Sequence, residues 1–246
     1  MILSGCQPEA QSNNQEHLLQ SLTWYQQSAE MKAIYIQSFN WAGLVLMEKL
    51  EQESELPMAV VLDIDETVLD NSPQTAQQLI DGVPFSDEMW DEWCTLARAE
   101  ALPGVLEFTL KAEAQGVEVF YISNRGIHLL DVTLDNLNSA GFPNADANHV
   151  LLKTDTSAKD DRRAKVRQSH NVVLLIGDNL GDFSGIFDTR LNGADSETVL
   201  THRESFGYDY IVLPNPLYGA WEKSLRGESS GETRLNKINA LKSYRR

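Results

Sequence analysis

Five short apolar runs punctuate the chain: Met58–Leu62, Val117–Ile122, Val150–Leu152, Val172–Ile176 and Tyr210–Leu213. They are β-branched and almost uninterrupted, as strands buried on both faces must be, because neither face meets water. Between them lie helix-like stretches at Gly104–Gln115, Ile127–Ala140, Ala158–Ser169 and, shorter, near Phe183–Arg190. Strands alternating with helices predict a parallel α/β sheet joined by crossover helices. Upstream, from His17 to about Glu55, there are no prolines and one glycine. Leu18, Leu22, Tyr25, Ala29 and Ala33, then Leu44 to Leu50, predict one long helix or a helical pair. Pro57 ends it.

One segment breaks the rhythm. About forty residues separate the first run from the Gly104 helix. That is too long for a plain strand-to-helix turn. With Phe85, Trp90 and Trp93 it is also too aromatic for a linker. It reads as a small cap inserted over the mouth of the sheet, about residues 72–103. The expected organisation is a flexible lead over 1–16, a helical segment over 17–56, a core over 57–222 that carries the cap, and a tail over 223–246.

Composition narrows the function. With 246 residues, 42% of them hydrophobic, the chain can build a core, which excludes intrinsic disorder. A net charge of −16 argues against nucleic acid or an anionic membrane as partner, since polyanions need basic surfaces. An acidic protein can still handle a small anion if a metal ion sits between them. The tail is the basic exception: Lys223, Arg226, Arg234, Lys237, Lys242, Arg245 and Arg246 face only Glu228 and Glu232. Such a tail packs back on the acidic body or stays solvated. No apolar run reaches the ~18 residues of a membrane span. Cys6 and Cys94 are too few for a metal cage, and Cys94 reads as a small buried apolar residue.

Leu3-Ser4-Gly5-Cys6 resembles a bacterial lipobox, whose cysteine carries lipid, and a polar tether follows over 7–16. The five residues before Cys6 are too few for the charged and apolar regions of a signal peptide. The expectation is a bacterial cell-envelope protein whose only membrane contact is lipid on Cys6; the alternative is an ordinary polar terminus.

In parallel α/β sheets ligands gather outside the carboxyl ends of the strands. The first run leads into Asp63-Ile64-Asp65-Glu66-Thr67. Residues two apart on a strand point to one side, so Asp63 and Asp65 are expected to share a pocket. The second leads into Ser123-Asn124-Arg125, whose hydroxyl, amide and guanidinium suit an oxyanion. The fourth leads into Gly177-Asp178-Asn179-Leu180-Gly181-Asp182. Ser157-Ala158-Lys159 stands at a helix start just before that strand. Clustered carboxylates repel unless a cation, a proton or a donor relieves them. Oxygen-only ligands suit a hard cation such as Mg²⁺. Lys159 and Ser123 would then hold phosphate oxygens, and a carboxylate can serve as covalent nucleophile in phosphoryl transfer.

This ordered set resembles the four motifs of the haloacid dehalogenase (HAD) superfamily. More narrowly, Asp63 to Ser72 and Gly177 to Phe183 are similar to the bacterial class C acid phosphatases, a group that includes outer-membrane lipoproteins. The resemblance runs from about Trp24 to Trp221. It implies a HAD-like, Rossmannoid core and a Mg²⁺-dependent phosphomonoesterase. Asp63 would be the nucleophile and Asp65 the general acid, then base. Asp63, the backbone carbonyl of Asp65 and Asp178 would hold Mg²⁺, with Asp182 supporting the metal site. Ser123 and Lys159 would grip the phosphate with help from Asn124, and Thr67 would tune Asp65. Trp90 and Tyr218 match family positions that line the substrate pocket, where two rings could sandwich a flat group. Nucleoside monophosphates, including nicotinamide mononucleotide, and aryl phosphates are the expected small-molecule partners, and a homodimer fits the family. The sequence departs from close family members around Gln74–Asp81. A phosphotransferase or phosphomutase of the same fold, and a non-catalytic surface lipoprotein that binds metal or ligand, are the alternatives.

Other residues compete for these roles. Lys153 and Lys165 are rivals of Lys159, but Ser-x-Lys at a helix start favours Lys159. Asp182 could be only a helix N-cap. Arg125 could be a structural ion-pair former. Trp90 and Trp93 share a helix face, so one of them belongs to the core, and Trp93 is the choice. His17, His128, His149, His170 and His202 show no metal-ligand spacing. No Arg-His-Gly or Gly-Lys-Ser/Thr motif is present, which disfavours a histidine nucleophile and a P-loop.

Overall fold

The computed structural model describes residues 18–187 and 196–243. The lipobox with Cys6, and the tether, lie outside the described residues. The sheet has five parallel strands in the order β5-β4-β1-β6-β7. These are β1 (Met58–Leu62), β4 (Glu118–Gly126), β5 (Val150–Lys153), β6 (Asn171–Gly177) and β7 (Tyr210–Val212). All five expected runs are strands. The chain goes from β1 out to β4 and β5 on one side, then returns to β6 and β7 on the other. The carboxyl end of β1 is therefore where the winding reverses, the place in such sheets where a crevice opens.

Strand alternation explains the continuous apolar runs. Val60, Leu62, Val119, Tyr121, Leu174 and Ile176 enter one core, and Ala59, Val61, Phe120, Ile122 and Leu175 the other. The first core is closed by α1 (Leu19–Gln27), α2 (Ala29–Lys49), α5 (Val105–Ala114) and α6 (Leu130–Ser139). The second is closed by α7 (Asp160–Arg167) and the Phe183, Phe187 and Phe206 cluster. The N-terminal helical segment is a pair. Ser28 breaks it, caps α2 by accepting from the Met31 N–H at 3.0 Å, and leaves α1 to end there. Gly104, with φ of 86°, lets the start of α5 approach α2, since a Cβ there would lie 3.3 Å from the Ile36 Cα.

The cap contains α3 (Ser72–Asp81) and α4 (Asp87–Thr95). It is closed at its base by a two-residue antiparallel pair, β2 (Leu69–Asp70) with β3 (Glu100–Ala101), which no run in the sequence announces. One expectation is corrected. The stretch near Phe183–Arg190 is not a helix where it is described. A tight 3₁₀ turn at Leu180–Asp182 precedes it and another at Gly185–Phe187 lies within it, because Gly181, Ser184 and Gly185 interrupt the period. The helix α8 (Ser196–Thr201) lies between β6 and β7, and the tail carries a helix of its own, α9 (Ser230–Ala240). Lys237 of α9 packs back on Glu222 at 3.0 Å. Among the described residues no helix is long and apolar enough to cross a membrane.

Candidate active site

The strand β1 stops at Leu62, so Asp63 and Asp65 lie in the turn beyond it rather than on a strand face. The turn is sharp. Glu66 sits at φ 59°, a left-handed conformation that a side-chain-bearing residue adopts at a cost. The helical pair holds it there: the Tyr35 hydroxyl donates to the Glu66 carbonyl at 2.6 Å, and the Tyr25 hydroxyl lies 2.8 Å from that of Tyr35. With Tyr35's proton given to Glu66, Tyr25 is the donor of that second bond. The sequence pattern includes Tyr25 only as a helix position and does not single out Tyr35.

The turn sends its two aspartates to different partners. Asp63 is buried and pairs with the buried Lys159 ammonium. Lys159 also reaches Asp182 at 2.7 Å. Asp63, Asp178 and Asp182 each present a carboxylate oxygen within 4.8 Å of the others. Asp178 is steadied by the Asn215 amide at 2.8 Å and, more weakly, by the Thr67 hydroxyl at 3.4 Å. Thr67 thus touches Asp178 and not Asp65. Asp182 does two jobs. Its Oδ2 accepts from the Asn179 N–H at 2.9 Å, closing a capping box, while its Oδ1 meets Lys159. Gly177 makes room for it, because a Cβ there would stand 2.6 Å from the Asp182 Cβ.

The Asp65 carboxylate is not in that group. Its Oδ1 accepts from Arg125 Nε at 2.9 Å and from the Asn71 amide at 2.9 Å. Arg125 Nη2 adds a contact at 2.8 Å. Its Oδ2 accepts from the Ser123 hydroxyl at 2.9 Å. Asn71 is fixed in turn by the Trp93 indole at 2.8 Å. Arg125, one of the largest fully buried side chains, is therefore the partner of Asp65 and is not free to meet an oxyanion. Trp93 packs against the core while Trp90 lines the cavity. Asn124 is exposed and accepts from Arg162 at 2.7 Å. The apolar reading of Cys94 fits its burial, which pushes its thiol up to about 12.

A cavity of about 930 Å³ unites these groups. Asp63, Asp65, Asp178, Asp182, Lys159 and Asn124 line it from the sheet side. Trp90, Phe85 and the Gln74 face of α3 line it from the cap, and Tyr218 from the loop after β7. Ser123 stands one layer behind, touching Asp65.

The electrostatics say what the cavity wants. Burial raises the Asp63 carboxyl well above its usual range; Lys159 opposes this, and Asp182 and Asp178 add to it. Burial, then Asp182, push Asp178 up to about 7. Burial works against the charge on Lys159, but Asp182 and Asp63 outweigh it and its pKa is raised. Three carboxylates thus crowd around one ammonium. An all-oxygen trio at this spacing, still short of positive charge, fits a metal cation, and these residues could hold one.

The chain matches the family model of the HAD superfamily, subfamily IIIB (Acid phosphatase), over residues 7–221. It belongs to that family of phosphoric monoester hydrolases. The class C acid phosphatase of Bacillus anthracis has the same fold, with a TM-score of 0.88 and 39% identity over 94% of this chain and 99% of that one. The same Bacillus enzyme with tungstate bound superposes with a TM-score of 0.89, also at 39% identity. Acid phosphatase 1 of tomato, Solanum lycopersicum, is 29% identical over 64% of this chain. A 31 kDa stem glycoprotein of soybean, Glycine max, is 28% identical over 77% of it. The matched segment spans 57% of the tomato protein and 68% of the soybean one.

Proposed function

We propose that this protein is a Mg²⁺-dependent acid phosphatase that hydrolyses small phosphomonoesters through a phosphorylated Asp63. The observation that carries this reading is the convergence of Asp63, Asp178 and Asp182 on one point, with Lys159 bridging two of them. Mg²⁺ suits the donor set because it is hard and takes few protein carboxylates, keeping open positions for substrate oxygens. When bound, it supplies charge that screens the phosphate dianion from the acids and polarises it. The tungstate in the Bacillus relative supports the choice of ligand, since tungstate is a tetrahedral oxyanion of phosphate shape.

The chain's own residues do the rest. An Asp63 oxygen attacks phosphorus, the ester P–O bond breaks, and the leaving oxygen takes a proton from Asp65. Water then gives a proton back to Asp65 and attacks phosphorus, which releases phosphate and restores Asp63. Ser123 has a single proton to donate, and it is given to Asp65. An arriving phosphate that claims that hydroxyl frees the Asp65 Oδ2 for the leaving group. Arg125 and Asn71 keep the other oxygen in place meanwhile.

Trp90, lining the cavity from the cap, and Tyr218, lining it from the loop after β7, favour esters with a flat leaving group, such as nucleoside monophosphates, nicotinamide mononucleotide and aryl phosphates. The Leu3-Ser4-Gly5-Cys6 sequence supports lipid attachment in a bacterial envelope, outer-membrane included, with the polar run after it as tether. The apolar side chains exposed on α2, including Trp41, Leu44 and Met47, suit a homodimer. The function is tested by assaying nucleotides, sugar phosphates and aryl phosphates with Mg²⁺ and after exhaustive chelation. Hydrolysis of phosphomonoesters that disappears with the metal supports the reading. Full activity in stripped protein, or activity on none of the esters, refutes it.

A further inference from the structure

Two buried side-chain amide nitrogens have no hydrogen-bond partner, and both belong to residues that line the cavity. Gln74 and Gln78 are 6% and 4% exposed, and the Nε2 atom of each is buried without a hydrogen bond. A buried polar atom left unpaired costs free energy, so nearly all of them find partners. The third such atom among the described residues, Glu66 Oε2, belongs to a residue that does not line the cavity. Gln74 and Gln78 do line it. They sit one helical turn apart on α3 and so share a face. Their neighbour Gln77, on the exposed side, is instead satisfied locally by Asp81 at 2.9 Å. The bare amides therefore mark the cavity side of α3 and are not a general habit of its glutamines.

The helix is also tied to the chemistry. Its first residue follows Asn71, whose amide bonds Asp65 at 2.9 Å. Its Ser72 hydroxyl accepts from Gln26 of α1 at 3.1 Å, so the helical pair steadies it from behind. Two amides held at a fixed place relative to Asp65, in a cavity that Trp90 and Tyr218 also line, make a second set of contacts beyond the phosphate site.

We propose that Gln74 and Gln78 form a specificity subsite that reads a planar hydrogen-bonding edge on the leaving group, of the kind a nucleobase or a ring carboxamide presents. Each amide carries both donors and an acceptor, so the pair can match an edge on which the two alternate. A ring without such an edge would leave the amides unpaired on binding. Sites built to hydrogen-bond a substrate reject the analogue that lacks the partner. This assignment rests on the phosphatase reading for its substrates, though not for its binding test.

The experiment compares kcat/KM for a nucleoside 5′-monophosphate and for phenyl phosphate in the wild type, Gln74→Met, Gln78→Met and the double variant. Methionine keeps the length and removes the amide. The nucleotide-to-phenyl-phosphate ratio should fall about tenfold for each amide removed, and further in the double variant. The single variants keep the ratio readable if the double variant does not fold. A ratio within twofold of wild type in all variants overturns the assignment, as does a wild type with no preference for the nucleotide. If the wild type hydrolyses neither ester, the phosphatase reading fails, and binding of the free nucleoside, followed by tryptophan fluorescence, decides the subsite by itself. Affinity lowered about tenfold by Gln74→Met or Gln78→Met supports it; unaltered affinity overturns it.

Discussion

The sheet carries a charged cluster at each end, and the two behave oppositely. At the carboxyl ends of β1 and β6 stand Asp63, Asp178 and Asp182 around Lys159. At the amino ends of β4, β5 and β6 stand Glu118, His149 and His170, with Asp146 beside them. Glu118 Oε2 lies 3.0 Å from His149 Nε2 and 3.1 Å from His170 Nε2, and Asp146 lies 2.9 Å from His149 Nδ1. In the first cluster the carboxyls of Asp63 and Asp178 are pushed up, by burial first. In the second they are pulled down: Glu118 chiefly by its hydrogen bond from His149, and Asp146, where burial is the largest single influence and raises it, by the combined bonds and charge of His149 and the Asn148 N–H, which outweigh burial. Residue types alone would not separate a cluster that lacks a cation from one that is matched and open to water. Excess charge held away from solvent is the mark of a site with work to do.

Four changes test that contrast, the largest effect first. Asp63→Asn should lower kcat on phenyl phosphate by at least about 10³-fold while the protein stays folded, since it removes the attacking oxygen. Equal turnover in a folded variant would remove Asp63 from the chemistry. Second, Mg²⁺ should raise the wild-type Tm. At a hundred times Kd the linkage is worth about 2.7 kcal/mol, several degrees for a chain of this size. Asp178→Asn should lose most of that rise in a thermal-shift titration.

The third concerns pH without cation. The folded pKa of Asp178, about 7, lies above its ordinary 3.8. The folded state therefore holds that proton more tightly. The associated stability is complete below about pH 4 and declines as pH climbs toward 7. Asp178→Asn is spared the decline, so its Tm should gain on that of the chelated wild type across this window. A constant difference would contradict the burial argument. The smallest effect belongs to the other end of the sheet. Glu118→Gln should leave kcat/KM within twofold and cost no more than about 1 kcal/mol in a denaturant melt, as exposed ion pairs do. A large loss of activity would erase the distinction between the two ends.

Much of this architecture is legible in the chain because it is written in local periods. The β-branched runs become the five strands, and the acids that follow β1 and β6 reach one cavity. Lys159 is separable from Lys153 and Lys165 by its place before α7, and it is the one that meets Asp63. What stays hidden is what depends on distant pairs. The Tyr35 bond to Glu66, the Arg125 grip on Asp65 and the Glu118–His149–His170 cluster join residues 21 to 60 positions apart, and no period records them. The β2–β3 pair is too short to leave an alternation. The shared strand face expected for Asp63 and Asp65 is absent because β1 ends at Leu62, before either of them, and Glu66 turns the chain.

The central claim is that the Asp63 carboxylate takes the phosphoryl group. It is tested most directly by mixing the Mg²⁺-loaded enzyme with an ester labelled in its phosphate, quenching in acid within one turnover and mapping the label. The account predicts label on the peptide that contains Asp63 and none in Asp63→Asn. Turnover with no covalent label, or label on another residue, would contradict it.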